Sequence, residues 1–294
     1  IRSRGAVPAI QIGHGGRKSS MQRPWFGNGP LNAQDFARGE QSWQPLAPSA
    51  VALADGWLVP KEMDEHDMAR TRQAFVDAAL RALAAGFEIV EIHMAHGYLL
   101  HSFLSPLSNF RTDAYGSSLA ARMRYPLEVA SAVRAALPAG TPLFVRISSE
   151  DGFEGGWTMD DSVVLARELL ACGVDVIDCS SGGNTPRGAT NANLQRAPGY
   201  QVPFARRIRA EARILSEAVG LIRDGLHAEE ILQDGGADLI ELEFETGAVV
   251  SDAPALVRAQ CRPVDRVGVT ALRREQAADT VFLAVEGIEV AAEL

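Results

Sequence analysis

Residues 87–98 read Phe-Glu-Ile-Val-Glu-Ile-His-Met-Ala-His-Gly-Tyr, and this stretch decides the fold class. Its first half, Phe87–Ile92, is an apolar run of strand length and predicts a buried β-strand. His93, His96 and Tyr98 follow at once, at the predicted carboxyl end of that strand. In parallel α/β folds ligands bind at the carboxyl ends of the strands. Two histidines three residues apart at such an end can therefore direct hydrogen-bond donors at one ligand oxygen.

The histidine pair also has two less specific interpretations. His93 and His96 could be structural histidines whose ring nitrogens are satisfied inside the core. They could also form half of a zinc site, but zinc needs a third protein ligand and no cysteine or carboxylate cluster stands near them in the sequence. We interpret the pair as donors to a substrate carbonyl or phenolate, and we expect no metal.

The predicted strand belongs to a series of apolar segments that alternate with amphipathic helices. Strands that alternate with helices indicate parallel βα units. The predicted strands are Val7–Ile12, Phe87–Ile92, Leu143–Ser148, Val174–Ser180, Ala218–Ile222 and Ala237–Leu242. The predicted helices are Asp64–Ala84, Ala120–Leu137, Asp160–Cys172, Pro203–Ala212 and Ala228–Gly235.

Two long segments interrupt this alternation, Gly13–Pro60 and Leu99–Ser118, and both are rich in Gly, Pro, Ser, Asn and aromatic residues. Long irregular βα connections in a compact domain are usually functional. Both segments follow strands, so we expect them to lie with the histidines on one face of the sheet.

The composition favours a small-molecule partner. A length of 294 residues with 47% hydrophobic residues predicts one globular domain. The formal charge of −9 disfavours a nucleic-acid or anionic-membrane partner. The sequence contains no apolar run of membrane-spanning length. Three cysteines, Cys172, Cys179 and Cys261, form neither an even disulfide set nor a metal pattern, which fits a reducing cytoplasm. A homo-oligomer is compatible with these features.

Arg146 is a candidate binding residue because it stands inside the apolar strand Leu143–Ser148. A buried guanidinium needs an anionic or multi-acceptor partner. That partner could be a ligand, or an Asp or Glu of the core. Gly182 and Gly183 follow the predicted strand Val174–Ser180, and Gly220 lies within the predicted strand Ala218–Ile222. Backbone amides of glycines at such places can approach an anion, as at barrel phosphate sites. The basic turn at residues 15–18 reads equally well as an exposed loop.

Several motifs, in order along residues 1–242, resemble the old yellow enzyme family of flavin-dependent NAD(P)H oxidoreductases and ene-reductases, specifically its bacterial thermophilic-like branch. The resemblance implies a (β/α)₈ TIM barrel that holds FMN at its carboxyl face. The matching segments are Ile10–Ile12 with His14 and Gly16–Lys18, Glu91–Leu100, Phe103–Pro106 with Asn109, Arg111–Gly116, Phe144–Ser148 and Ala228–Leu232.

The resemblance also implies a role for each candidate residue. Gln11 and Arg146 would hydrogen-bond the pyrimidine edge of FMN. His93 and His96 would donate to the carbonyl oxygen of an α,β-unsaturated substrate that receives hydride from the flavin, and Tyr98 would protonate the α-carbon. NADPH or NADH would be the reductant. FMN is expected rather than FAD because the chain has no Gly-x-Gly-x-x-Gly signature.

The chain also departs from the family pattern. Its first strand would be the third of the barrel, so we expect the barrel to lack two βα units at its amino end. Glu243 and Phe244 stand where the family has a Gly-Arg pair for the FMN phosphate, and the tail 245–294 stays unassigned within a single domain 1–294. Two alternatives therefore remain, a degenerate flavin-free barrel that serves as a structural or partner-binding subunit, and a metal-dependent barrel lyase or hydrolase.

Overall fold

The computed structural model describes residues 1–185 and 195–242. Glu243, Phe244, Cys261 and the tail 245–294 lie outside the described residues. The strands are β1 Ala9–Ile12, β2 Leu46–Ala47, β3 Lys61–Glu62, β4 Ile89–Met94, β5 Leu143–Ser148, β6 Val176–Ser180, β7 Leu215–Ala218 and β8 Leu239–Ile240. The α-helices are α1 Ala33–Ala37, α2 Glu65–Ala84, α3 Leu99–Leu104, α4 Leu119–Ala136, α5 Met159–Ala171, α6 Val202–Ala212 and α7 Gly225–Gln233.

Six strands form one parallel sheet in the order β1-β4-β5-β6-β7-β8. The order follows the chain, and a helix crosses over between most neighbouring strands, as in the wall of a βα barrel. Within the described residues β1 and β8 form the two edges of this sheet. The small pair β2 and β3 lies in the long segment after β1.

The register arranges the inner side chains in rows. His93 is the Cα partner of Arg146, Arg146 of Asp178, and Asp178 of Glu217. We call these four residues the polar row. Aligned residues of neighbouring strands point to the same side of a sheet, so the polar row faces one side. A small apolar cluster at the amino side of this row contains Ile89, Phe144, Val176 and Leu239.

The opposite side of the sheet packs against the helices. The main core contains Ile92, Val145 and Ile177 from the strands and Phe75, Val129 and Leu165 from α2, α4 and α5. Burial of such side chains stabilises the fold by about 1.5–3 kcal/mol each. In the part of the chain that the structure describes, no helix combines the length and the hydropathy that crossing a lipid bilayer requires.

Capping side chains set where the helices begin. Asp64 accepts the N–H of Asp67 and caps α2, and Thr158 accepts the N–H of Asp161 and caps α5, in both cases as part of a capping box. The sequence placed both helix starts within one or two residues. α7 begins at Gly225, three residues before the predicted Ala228, because Asp224 caps it.

Two strand predictions are wrong in their bounds. β4 begins at Ile89 because the Phe87 N–H still bonds Ala82 O at the end of α2, and the strand continues to Met94, so His93 lies within the strand. β7 is Leu215–Ala218 and not Ala218–Ile222. The φ angles of +117° at Gly220 and +55° at Leu221 end the extended backbone there.

The segment 99–118 is also more regular than predicted, because it opens with the wholly buried helix α3. After α3, Arg111 joins the two long segments. Its guanidinium donates to Met63 O at 2.7 Å and to Pro48 O at 3.1 Å, and it pairs with Asp113. The two long segments therefore contact each other, as expected for loops on one face of the sheet.

Candidate active site

His93, His96 and Tyr98 lie together at the carboxyl ends of the central strands. His93 Nε2 and His96 Nδ1 are 3.2 Å apart, and the Tyr98 ring stacks on the His93 ring with centroids 4.7 Å apart. His93 is fixed by β4, whereas Tyr98 occupies the N-cap position of α3. The structure therefore brings together all three side chains that the sequence analysis predicts to be catalytic.

Backbone contacts determine which ring nitrogen carries the proton. Ala95 N–H donates to His93 Nδ1 at 3.1 Å, so the proton of neutral His93 is on Nε2. His93 Nε2–H then donates to His96 Nδ1, and His96 Nε2–H donates to Ser180 Oγ at 2.7 Å. The two rings form a directional chain that ends at β6.

Both histidines are neutral at physiological pH. Burial, followed by the nearby charge of Arg146, lowers the pKa of His93 from 6.5 to about 3. Burial, followed by the neighbouring His93, lowers the pKa of His96 well below 6.5. Each ring is therefore a neutral donor, which can polarise a substrate oxygen without losing a proton to it.

Arg146 has the carboxylate partners that the structural alternative requires. Its Nε lies 3.1 Å from Asp178 Oδ2 and its Nη1 lies 3.1 Å from Glu241 Oε2. Gln11 is similar, since its Nε2 donates to Glu91 Oε2 at 2.8 Å. Arg146 lies beside His93 in the sheet, and both side chains assigned to the flavin's pyrimidine edge are engaged with acids. Their role toward a flavin stays a prediction.

Arg17 and Lys18 are further candidates for a functional role, although the sequence around them gives only a weak signal of one. The interpretation as an exposed turn is wrong, because the two side chains are only 4% and 8% exposed. Lys18 Nζ donates to His96 O at 2.6 Å, and Arg17 donates to Asn184 O and Oδ1. Burial, followed by the charge of Arg17, lowers the pKa of Lys18 to about 8.

Close packing explains the burial of this basic turn. Gly16 has φ +60°, and a Cβ there would lie 2.7 Å from Leu99 N. Only glycine lets the turn approach α3 this closely. The run of glycines before Arg17 was the signal in the sequence that could have predicted the burial.

The three glycines predicted to cradle a phosphate have left-handed φ angles, +71° at Gly182, +89° at Gly183 and +117° at Gly220. A Cβ at Gly183 would lie 2.3 Å from the His96 Cα, and one at Gly220 would lie 2.9 Å from the Tyr200 ring. Packing within the chain thus accounts for glycine at these two positions. Their phosphate role stays a prediction.

Two buried donors at the carboxyl end of β1 suit an acceptor from a ligand. His14 Nδ1 accepts the Gly16 N–H at 3.0 Å, so the proton of neutral His14 is on Nε2. Neither His14 Nε2 nor Arg17 Nε has a hydrogen-bond partner among the described residues. A buried N–H without an acceptor costs about 1–3 kcal/mol. An acceptor atom of a bound group would relieve that cost, so these two donors are compatible with a ligand that carries oxygen or nitrogen acceptors.

The residues described do not support a metal centre, because no three of their His, Cys, Asp or Glu side chains are grouped to hold an ion. The candidate site therefore combines neutral and cationic donors with the carboxylates of Asp178, Glu241 and Glu91.

Comparison with known proteins identifies the family. The profile of the NADH:flavin oxidoreductase / NADH oxidase family matches residues 1–258. The chain belongs to this family. An NADPH dehydrogenase of Geobacillus sp. (strain WCH70) is 45% identical over 245 residues, which are 83% of this chain and 64% of that protein. An NADPH dehydrogenase of Bacillus subtilis (strain 168) is 41% identical over 240 residues, 82% of this chain and 63% of that protein.

Solved structures share the fold of this chain. A 2-naphthoyl-CoA reductase superposes with a TM-score of 0.70 at 24% identity, over 88% of this chain and 38% of that one. Morphinone reductase in complex with tetrahydroNAD superposes with a TM-score of 0.60 at 23% identity, over 81% of this chain and 62% of that one. The predicted TIM-barrel class and the resemblance to the old yellow enzymes are confirmed, and FMN and NAD(P)H are the cofactors of this oxidoreductase family. The chain spans less than two thirds of the curated relatives it matches.

Proposed function

We propose that the protein is an FMN-dependent NAD(P)H oxidoreductase that reduces the C=C bond of small α,β-unsaturated carbonyl compounds. The observation that carries this proposal is the cluster of His93, His96 and Tyr98 beside Arg146 at the carboxyl face of the sheet. The family match supports an oxidoreductase, and the cytoplasmic location stays a prediction.

The chain's own residues would bind and polarise the substrate. The neutral rings of His93 and His96 would each exchange their present acceptor, His96 Nδ1 and Ser180 Oγ, for the carbonyl oxygen, where negative charge develops. Tyr98, stacked on His93, would deliver a proton from its hydroxyl to the α-carbon. Gln11 and Arg146 would hold the pyrimidine edge of FMN. Bound FMN supplies the two-electron chemistry that passes hydride from the nicotinamide to the alkene.

A second function is favoured by one observation. Arg146 is paired with Asp178 and Glu241, and Gln11 is bonded to Glu91, so both ring-binding side chains have partners within the chain. A flavin-free barrel that serves as a structural or partner-binding subunit would keep these contacts unchanged.

Reconstitution distinguishes the two functions. The purified chain is incubated with FMN, desalted and scanned for flavin absorbance, and the released chromophore is identified by mass spectrometry. NADPH oxidation without oxygen and reduction of 2-cyclohexenone are then measured separately. We expect bound FMN and both half-reactions.

Tyr98→Phe is the matched variant, because it keeps the ring that stacks on His93 and removes only the hydroxyl. We expect it to retain FMN and NADPH oxidation and to lose about 10²–10⁴-fold in the cyclohexenone step, the usual contribution of a general acid. A chain that takes up no flavin would support the flavin-free barrel instead.

A further inference from the structure

The turn that carries His96 and Tyr98 has a strained backbone. His96 has φ +58° and Gly97 has φ +74°, so two consecutive residues are left-handed. A non-glycine residue in this region costs about 1–2 kcal/mol. Such strain persists only where the surroundings hold it in place. The groups that hold this turn therefore determine where the catalytic side chains lie.

Each backbone N–H of the turn has an identified acceptor. His96 N–H donates to Ser148 Oγ at 2.9 Å, and Tyr98 N–H donates to Ala95 O at 3.0 Å. Gly97 N–H, between them, donates to His101 Nδ1 at 2.9 Å. The Gly97 contact is the one made by an ionisable ring, and it holds the residue that connects His96 to Tyr98.

His101 is itself held by a buried carboxylate. The two side chains are fully buried, and His101 Nε2 lies 3.2 Å from Asp151 Oδ1. Since Nδ1 accepts from Gly97, the proton of neutral His101 is on Nε2, beside the carboxylate. The carboxylate beside Nε2 thus favours the tautomer that can accept the Gly97 amide.

Asp151 is in turn fixed by the loop after β5. Its Oδ2 accepts from Ser105 Oγ at 2.5 Å and from Trp157 N–H at 2.8 Å. Burial raises the pKa of Asp151, but the contact with His101 and the hydrogen bonds from Ser105 and Trp157 outweigh it and hold this pKa below its ordinary value. The carboxylate is ionised, and it joins the β5 loop to α3.

We propose that His101, oriented by Asp151, is a positioning residue that holds the Gly97 amide and thereby fixes His96 and Tyr98 relative to His93. His101 sets the geometry of the donors without touching the substrate. The inference rests on the proposed function for its catalytic meaning, but the geometry can be tested without flavin.

Two substitutions at His101 separate positioning from simple stability. His101→Asn places its amide oxygen near the position of Nδ1, so it keeps an acceptor for Gly97 N–H. His101→Phe fills the same space and keeps none. Both variants lose the contact with Asp151, so both lower the urea midpoint. Ser162→Ala, which removes the acceptor of Trp157 Nε1 on the far side of Asp151, is the control for a lost buried hydrogen bond.

The first measurement uses the flavin-free chain labelled with ¹⁵N-histidine. Ring shifts report the tautomers of His93 and His96. We expect the native pattern in His101→Asn and in Ser162→Ala, and a changed His96 pattern in His101→Phe. Identical spectra for His101→Asn and His101→Phe would overturn the proposal.

The second measurement titrates 4-cyanophenol into the FMN-loaded protein and follows the charge-transfer band. We expect His101→Phe to bind the phenol about tenfold more weakly, as for loss of one well-placed hydrogen bond, and His101→Asn to bind it nearly as the parent does. Equal weakening in both variants would make His101 a structural residue only. Failure of the parent chain to take up FMN would contradict the proposed function, and the ¹⁵N result would still decide the role of His101.

Discussion

At the scale of single residues, the number of ring N–H groups limits the hydrogen bonds that His93 and His96 can donate to a substrate. His93 and His96 are neutral, so each carries one N–H, and both N–H groups already have acceptors, His96 Nδ1 and Ser180 Oγ. A substrate oxygen must therefore compete with Ser180 for the His96 proton. Ser180 is buried at the end of β6, so the sheet holds this competing acceptor beside His96.

This competition predicts opposite effects for two substitutions. His96→Ala removes a donor and should weaken phenol binding to the FMN-loaded protein by about 1–3 kcal/mol, as for a hydrogen bond to a charged group. Ser180→Ala removes the competing acceptor and should strengthen binding by about 0.5–1.5 kcal/mol. Phenol titration of parent and variants measures both. Weaker binding in Ser180→Ala would mean that Ser180 orients His96 and does not compete for its proton.

The residues that the sequence predicted well are those whose partners are close in the chain. His93, His96 and Tyr98 meet because a strand and the next helix hold them within six residues. Glu241 could not be predicted as a partner of Arg146, because the two are separated by 95 residues and meet only through the sheet. The local sequence pattern carries no information about contacts between residues so far apart.

At the scale of elements, side-chain caps determine where the helices start. Thr158 Oγ1 accepts the Asp161 N–H at 3.2 Å and donates to Asp161 Oδ2 at 2.8 Å, so one threonine satisfies two groups at the start of α5. Helix α5 packs Val163 and Leu165 into the core. The cap therefore supports the layer that covers β5 and β6.

We expect Thr158→Ala to lower the free energy of unfolding by about 1 kcal/mol, because it leaves a helix N–H without its acceptor. Thr158→Ser keeps the oxygen and should change stability little. Urea denaturation followed by circular dichroism compares the two. An equal loss in both variants would show that the threonine methyl group, and not the cap, supplies the stability.

Elements with a strong local signal were predicted closely, and elements defined by pairing were not. The helix prediction Asp160–Cys172 differs from α5 by about one residue at each end because apolar period and cap agree. Strand β7 contains Ser216 and Glu217, which are buried because they pair with Ile177 and Asp178 of β6. Polar residues at buried strand positions weaken the apolar pattern of the strand, so the sequence favours the more apolar residues after it.

At the scale of the whole molecule, the inside of the sheet is unusually acidic. Glu217 is 7% exposed and stands next to Asp178 in the polar row, with Glu241 and Arg146 nearby. Burial, followed by the charges of Asp178, Glu91 and Glu241, raises the pKa of Glu217 well above its ordinary value of 4.5. Folded protein thus keeps a proton that the unfolded chain releases, and stability falls as the pH rises above 4.5.

Glu217→Gln should therefore stabilise the protein, and the gain should be larger at pH 8 than at pH 5. Glutamine has nearly the same shape and needs no proton to stay neutral. Glu168→Gln on the exposed side of α5 is the matched control, because water solvates the charge it removes. Urea midpoints of the three proteins at both pH values provide the test. A gain independent of pH would contradict a protonated Glu217.

The sequence also predicted the arrangement of the whole sheet better than its closure. Alternating apolar and amphipathic segments imply parallel βα units in chain order, and the described strands follow that order. Closure of the sheet beyond its edges β1 and β8 would depend on contacts between residues far apart in the chain. Pattern along the chain cannot supply those contacts.

The contact between Gly97 and Gly183 constrains any attempt to redesign this site. A Cβ on Gly97 would lie 2.4 Å from Gly183 O, and one on Gly183 would lie 2.3 Å from the His96 Cα. Because neither glycine has a side chain, the two neighbouring loops can lie this close together. A mutant library aimed at new substrates should therefore hold both glycines constant and place its diversity in the long segments above them, where Trp25 and Phe110 are exposed to solvent.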